Sequence, residues 1–461
     1  MFERVFRLRE NGTDVKTEVI AGVTTFMTMA YIIFVQPAIL SGPMSAQSPQ
    51  GGDFFGSVMV ATCLSAAIAT FIMAFVANYP IALASGMGEN VFFAITVVTM
   101  MGVPWQVALA AIFISGILCT ILTVSKARNL IMDAIPPSLK NAIAAGIGFF
   151  IAFLGMQHCG IIVGNPATMV SITRFADNPL YVKPFILSVI GLITISFMMS
   201  FRIKGAVLWG MLITAIIGIP MGVIKTDVLK EWQTIPSIAP TFLKLDFRGL
   251  FTIEMVTVII VFFLTDMFDM IGTLIGVAKR ANLLDNQGRL VRAQKAFFAD
   301  SIGSVFGSLL GTSTVTSYIE SAAGVQAGGR TGMTGLIAGL LFILAIFVSP
   351  IAKMIGGGYM IMPEGAVTPI FLYPITGPVL IIVGILMVKA MIDVNWDDIT
   401  DALPAFLIFI GIPLSFSISD GLALGLISYP IVKILAGRHK EVSWLIYILA
   451  ALFIVRFFFV K

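Results

Sequence analysis

The chain has 461 residues, of which 58% are hydrophobic and only 11% charged, where a soluble protein carries about a quarter charged residues. The net charge is +4, and the Lys and Arg residues sit in short loops between apolar runs. Lipid is therefore the main solvent of this sequence, and without a basic stripe outside those loops a nucleic-acid partner is excluded.

The chain opens on a polar, basic stretch, 1–17, which lacks an apolar run followed by a small-residue cleavage site and reads as a cytoplasmic tail. The first repeat, 18–224, holds seven apolar segments at 18–40, 57–78, 87–101, 105–124, 138–157, 184–201 and 205–224. An extracytoplasmic loop, 225–250, leads to the second repeat, 251–440, with segments at 251–278, 296–311, 317–328, 332–351, 369–389, 401–416 and 421–435. The third segment of each set is too short to span. A last apolar segment at 442–459, within the C-terminal stretch 441–461, leaves two readings open: along the interface, or one more crossing.

The positive-inside rule orients this alternation. With Arg4, Arg7, Arg9 and Lys16 inside, Lys126, Arg128, Lys140, Arg202, Lys204, the cluster from Lys279 to Lys295, Arg330, Lys389, Lys433, Arg438 and Lys440 also fall inside. Those left outside, such as Arg174, Lys225, Lys230 and Lys353, lie mostly in the two longer loops, where the rule is weak. Each set crosses an odd number of times, so the second is inverted relative to the first. Their third elements are both Gly-broken, and their fifth elements are both Pro-led, at Pro136-Pro137 and Pro374. Paired broken segments in inverted halves point to a binding site at the repeat interface, near the membrane midplane.

Cys63, Cys119 and Cys159 are far apart in apolar stretches and read as small packing residues. His158 and His439, the only histidines, have no second ligand type nearby, so neither a metal site nor a cofactor is expected.

The chemistry lies in three runs. Pro80-Ile-Ala-Leu-Ala-Ser-Gly-Met-Gly-Glu-Asn90 and Gly311-Thr-Ser-Thr-Val-Thr-Ser-Tyr-Ile-Glu320 both begin with small or β-branched residues, which favour extended chain, and then become helix-like. Extended backbone at bilayer depth is tolerated only against protein or a wet cavity, and a half-helix starting there aims free N–H groups into it. In the third run, Phe263-Leu-Thr-Asp-Met-Phe-Asp-Met-Ile-Gly-Thr273, helical spacing puts Asp266, Asp269 and Thr273 on one face. Two carboxylates in an apolar span must meet a cavity, a partner or a proton; a hydrogen bond to a neighbouring helix is the plainer alternative. Glu89 and Glu320 each stand at the start of a broken helix, as site residues or as capping carboxylates. Asp300 reads as structural and Arg330 as an anchor at the cytoplasmic end, while Tyr31, Phe92, Phe268 and Tyr318 are stacking partners or core.

At these residues the sequence resembles the nucleobase–cation symporter family of the uracil permease fold, in its adenine/guanine/hypoxanthine permease branch. The matching runs include Phe6-Arg-Leu-Arg-Glu-Asn-Gly12, Thr17-Glu-Val-Ile-Ala-Gly-Val-Thr-Thr-Phe26 and Gly164-Asn-Pro-Ala-Thr168. They continue with Phe268-Asp-Met-Ile-Gly-Thr-Leu274, Gly311 through Gly324, and Ala327-Gly-Gly-Arg-Thr-Gly332, so the likeness extends to about Lys440. The resemblance implies an all-α polytopic membrane protein: a seven-plus-seven transmembrane inverted repeat whose two broken helices follow short strands. Its core, spans one to four and eight to eleven, carries the site. Its gate, spans five to seven and twelve to fourteen, faces the core and often forms a homodimer contact.

By motif match, Asp269 takes the place of the substrate-binding carboxylate of span eight and Thr273 a proton-linked position one turn on. Glu320 takes the substrate-binding carboxylate of span ten, preceded by Tyr318 and Ile319, and Asn90 the substrate-linked asparagine of span three. Gly88, Glu89 and Phe268 complete the expected substrate site, and Asp269, Glu320, Asp266 and Glu89 are the candidates for proton coupling. Glu89 departs from the family, which usually has an apolar residue between Gly88 and Asn90, and this leaves the base choice open.

The expected function is secondary active import of a purine nucleobase (hypoxanthine, guanine or adenine) by proton symport across the inner membrane, with no catalytic residues. Xanthine or uracil specificity and sodium coupling are the alternatives within the family. An anion exchanger on the same fold would want cationic or neutral polar groups in place of these carboxylates. An intramembrane aspartyl protease would need two aspartates from separate helices, whereas Asp266 and Asp269 share one.

Overall fold

The structure, a computed structural model, describes residues 2–48, 51–125, 134–165, 167–176, 179–224, 226–227, 235–281, 290–362 and 370–459. Lys126, Arg128, Lys225 and Lys230, used above for orientation, lie outside them.

The apolar runs form helices because in lipid each backbone N–H and C=O must find its partner within the segment. Their starts are set by short polar side chains: Asp14 accepts from the N–H of Thr17 at 2.9 Å, Asp53 from Gly56 at 3.0 Å, and Asp398 from Thr400 at 2.9 Å. Among the described residues nine segments are long and apolar enough to cross a bilayer, and Met87–Met100, Ala206–Gly218, Ile399–Ser415 and Trp444–Phe458 are shorter apolar helices. Ala293–Leu310 is long enough as well, but Asp300, Ser301, Ser304 and Ser308, all buried, make it more polar than those nine.

Packing follows a pseudo-twofold relation between the halves. Val15–Met29 lies against Gly332–Ala345, and its counterpart Ile253–Ala281 lies against Trp105–Ser125. Phe54–Ile72 meets Gly332–Ala345 as Ala293–Leu310 meets Trp105–Ser125. These helices and the two broken segments form the core. In the gate, Pro137–His158 packs on Thr376–Val388, so closely that a Cβ on Gly384 would stand 2.5 Å from the carbonyl oxygen of Gly148. Val182–Ser200 pairs with Ala206–Gly218, as Ile399–Ser415 pairs with Ile418–Leu435. The fold is thus a seven-plus-seven inverted repeat with core and gate parts.

Several elements differ from the sequence reading. The first span is two helices, Val15–Met29 and Ile32–Ala46, the second with Pro37 and Pro43 inside it. The segment expected to be helical from 369 begins as a strand, Ile370–Leu372, which pairs antiparallel with Tyr359–Ile361; the helix starts only at Thr376. A second hairpin, Ile162–Asn165 with Met169–Ile172, follows the fifth span. Strand pairing is non-local, and an apolar run alone does not separate a strand from the start of a helix.

Beyond the fourteenth span the chain turns back as Trp444–Phe459, beside Ile418–Leu435 and touching Ile253–Ala281. Ile446, Leu449, Ala450 and Phe453 are its buried stripe. It is pinned at both ends: Glu441 pairs with Lys433 at 2.9 Å and Arg438 at 2.6 Å, and Arg456 pairs with Asp420 at 2.6 Å. Hydrogen bonds from Arg438 and then Lys433 hold the Glu441 carboxyl down at about 2, and those from Thr400 and Arg438 hold Asp398 well below the usual carboxylate range. The Glu441 and Asp398 charges therefore persist at neutral pH.

Candidate functional site

The two broken segments meet as a pair of three-residue strands, Leu83–Ser85 and Val315–Ser317, antiparallel with Ala84 opposite Thr316. The ladder is extended by Gly86 N–H to the Thr314 carbonyl and Tyr318 N–H to the Ala82 carbonyl, both at 3.1 Å. This satisfies extended backbone inside the protein, which bilayer depth requires. From opposite ends of the pair the chain continues into Met87–Val91, prolonged by the wider winding of Phe92–Met100, and into Ser321–Gln326. Both broken helices with preceding strands are therefore present.

Asp300 supports this strand pair from the side, accepting from the N–H of Ser317 at 2.7 Å and from its hydroxyl. That fits its structural reading. Ser304 bridges the same layer: its hydroxyl reaches the Val315 carbonyl at 3.1 Å and Asp266 Oδ2 at 3.2 Å. Asp266 is fully buried. Asp269, three residues on, is half-buried. One helix face thus divides, with Asp266 turned to the neighbouring span and Asp269 toward the broken segments. Beside Asp269, a Cβ on Gly272 would meet nothing within 4 Å, and one turn beyond, a Cβ on Gly276 would touch Ile319 Cδ1 at 3.1 Å. Thr273 is buried on this face, Phe268 half-buried, and Ile319 exposed.

Glu320 precedes the second half-helix without its side chain capping it. Its carboxylate instead accepts from the Tyr31 hydroxyl at 2.8 Å, joining the first span to the second broken segment. Tyr318 donates to the Ser85 carbonyl at 2.5 Å, and its ring centroid lies 6.5 Å from that of Tyr31. Both aromatics are hydrogen-bonded to the broken segments, while Phe92 is core, edge-on to Phe262 at 4.9 Å.

Glu89 is buried in the first turn of the first half-helix. Its carboxylate folds back over Gly86, where a Cβ would stand 2.4 Å from Oε2; this is the third helical position, from which a capping glutamate reaches back. Gly88 admits Ile147 of the gate, whose Cγ2 would lie 2.6 Å from a Cβ there. Asn90 accepts from the Ser313 hydroxyl, and Ser313 in turn accepts from Gln36 Nε2 at 3.0 Å. Gln36 and Ser313 were not singled out from sequence, although an amide inside an apolar span is a signal in itself. Arg330 donates to the carbonyls of Val325 and Gly329 at 2.7 Å, at the end of the half-helix.

The carboxylates form one electrostatic group. Glu89 and Glu320 lie on the two broken segments, and Asp266, Asp269 and Asp300 on the two helices packed beside them. Among the described residues, Glu89, Asp266, Asp269 and Glu320 have no ion-pair partner, and no three His, Cys, Asp or Glu side chains converge as a metal site. Such a site offers acceptors at Asp269 and Glu320, the latter already taking the Tyr31 proton, a donor at the Asn90 amide, and apolar side chains at Phe268 and Ile319. It suits a small, flat, polar molecule with N–H groups.

Residues 16–424 match the Permease family (Xan_ur_permease). Adenine permease AdeP of Escherichia coli (strain K12) is 42% identical over 460 residues, covering 100% of this chain and 96% of the relative. Guanine/hypoxanthine permease PbuG of Bacillus subtilis (strain 168) is 40% identical over 461 residues, covering 99% of both. Among solved structures, the transmembrane domain of a cyanobacterium bicarbonate transporter, BicA, superposes with a TM-score of 0.57 at 14% identity, over 92% of this chain and 97% of that one. That likeness concerns the fold alone. The family match along nearly the whole chain joins the strand-crossed inverted repeat and its carboxylate site: this chain belongs to the Permease family, as a multi-pass membrane transporter and not an enzyme.

Proposed function

We propose that the protein imports purine nucleobases across the inner membrane by proton symport, the core moving against the gate in an elevator-like cycle. The observation that carries this reading is that Asp269 and Glu320 lie on two elements packed together, Ile253–Ala281 and the second broken segment, both half-buried and neither with an ion-pair partner among the described residues. Relatives named for adenine and for guanine/hypoxanthine support the substrate class. In this reading Asp269 and Glu320 accept from ring N–H groups, Asn90 and the first half-helix around Gly88 meet the acceptor edge, and Phe268, Ile319 and Tyr318 hold the ring plane. Thr273 sits one turn from Asp269. A carboxylate in a low-dielectric site without a cation is relieved by taking up a proton. Asp269, Glu320, Asp266 and Glu89 are therefore the groups through which a proton would travel with the base. The gate is the surface we assign to a homodimer.

Uptake of radiolabelled hypoxanthine, with adenine, guanine, xanthine and uracil as competitors, tests the substrate. Purines should compete and uracil should not. A protonophore at constant sodium should abolish accumulation, while sodium removal should leave it intact; the opposite ion dependence overturns proton symport.

We also propose that the N-terminus is cytoplasmic and that Trp444–Phe459 is a further crossing. Its start is tied to Lys433 and its far end to Asp420, so it runs the length of the last span in the reverse direction. A 16-residue helix covers about 24 Å, close to the length of the 17-residue span Ile399–Ser415. Reporters fused to the two termini should then report opposite faces of the membrane. Both on one face would return this helix to the interface.

A further inference from the structure

We propose that Gln36 and Ser313 are positioning residues that hold the Asn90 amide with its N–H groups toward the transported base, making the site selective for 6-oxopurines. This rests on the purine-import reading above. The observation is a buried polar relay behind the strand pair, reaching from the first span to the first half-helix. Gln36 is fully buried on Ile32–Ala46, and its Nε2 lies 2.9 Å from Thr312 Oγ1 and 3.0 Å from Ser313 Oγ. An amide nitrogen has two hydrogens, so both are used. Ser313 accepts one of them and donates its own proton to Asn90 Oδ1. The Asn90 carbonyl is thereby occupied.

The opposite direction, with Asn90 donating to Ser313 and Ser313 to the Gln36 carbonyl, is the alternative that the same heavy atoms allow, because amide oxygen and nitrogen can exchange places. The surroundings of Gln36 decide between them. In the first arrangement a single acceptor, Gln36 Oε1, is left buried without a partner. In the reverse arrangement the buried Gln36 NH₂ would be left with two unpaired donors. Orphaned N–H groups are the rarer and costlier case. The neighbouring hydroxyls accommodate the first arrangement: Thr62 spends its proton on the Val58 carbonyl at 2.7 Å and can accept at Thr312, and Ser85 lies 3.2 Å from the same Thr312 Oγ1.

What remains to Asn90 is its NH₂, whose one protein partner among the described residues is the Met87 thioether, with Nδ2 3.8 Å from Sδ. A thioether is a weak acceptor on a flexible chain. Asn90 is fully buried and Met87 covers its NH₂, so a base oxygen reaches this donor by displacing the thioether, and in doing so gains a full hydrogen bond. The carboxylates at Asp269 and Glu320 can only accept while ionised, so this donor distinguishes a carbonyl at the purine 6-position from an amino group there.

The test compares hypoxanthine and adenine as competitors of labelled hypoxanthine, both for uptake and for binding to the full-length purified transporter, in the parent, Ser313→Ala and Ser313→Thr. The parent should prefer hypoxanthine. Ser313→Ala frees the Asn90 amide to turn, and its hypoxanthine-to-adenine preference should fall by about tenfold, the scale of one hydrogen bond. Ser313→Thr keeps the hydroxyl and should keep the ratio. A Ser313→Ala protein with the parental ratio overturns the relay, as does an equal loss of both bases or a parent that prefers adenine. Binding read on solubilised protein keeps the ratio measurable if the variant no longer translocates. A parent that takes up and binds no purine at all instead removes the import reading on which the relay rests.

Discussion

Asp269→Asn and Glu320→Gln are each expected to lower initial purine uptake by about a hundredfold, with the protein inserted at parental levels. A hydrogen bond to a charged group is worth about 1.5–3 kcal/mol, which corresponds to roughly tenfold to over a hundredfold. These two side chains also belong to the group through which the proton would pass, so the loss should sit at the upper end. The substitutions keep side-chain shape, and the Gln carbonyl can still accept from Tyr31, which donates to Glu320 at 2.8 Å. A folding defect is therefore not the expected cause. Uptake should be measured beside the amount of protein in the membrane. Rates within about threefold of the parent, well under the effect of one charged hydrogen bond, would show that neither carboxylate holds the base.

Gly332→Val should produce the largest loss of stability. Gly332 opens the eleventh span against the end of the second, where a Cβ would stand 2.2 Å from the Ala74 carbonyl oxygen and 2.7 Å from its Cα. These are backbone atoms and cannot swing aside. The Gly332 N–H also donates to Asn78 Oδ1 at 2.7 Å, so separating the helices breaks that bond as well. Overpacking costs about 1–3 kcal/mol when side chains can yield, and here at least the upper figure is expected. Gly272→Ala is the matched contrast: its Cβ would meet nothing within 4 Å, and a helical Gly→Ala change gains up to about 1 kcal/mol. Thermal unfolding in detergent, followed by the loss of the monodisperse peak, should place Gly332→Val far below the parent and Gly272→Ala at or above it. Equal midpoints for the two would mean that the interface tolerates separation.

Local features made much of this protein readable before its structure. Fourteen apolar segments, two of them short and Gly-broken, follow from run length alone, because lipid leaves a spanning backbone few alternatives to the helix. Asp266, Asp269, Glu89 and Glu320 stood out because ionisable groups are rare at that depth. Run length did not show where a helix begins, so Ile370–Leu372 emerged as a strand. Helical periodicity did not separate Asp266 from Asp269, since residues three apart share a face until neighbours divide it. Ser304 from the next span takes Asp266 into the interior, whereas Asp269 stays half-buried.

The bonds that join the halves were decided by the tertiary structure: Tyr31 to Glu320, Gln36 through Ser313 to Asn90, and the register of Leu83–Ser85 with Val315–Ser317. Each links residues more than two hundred positions apart. A sequence records which groups are costly to bury. Which partner relieves that cost depends on how the inverted halves interlock, and no local pattern encodes that.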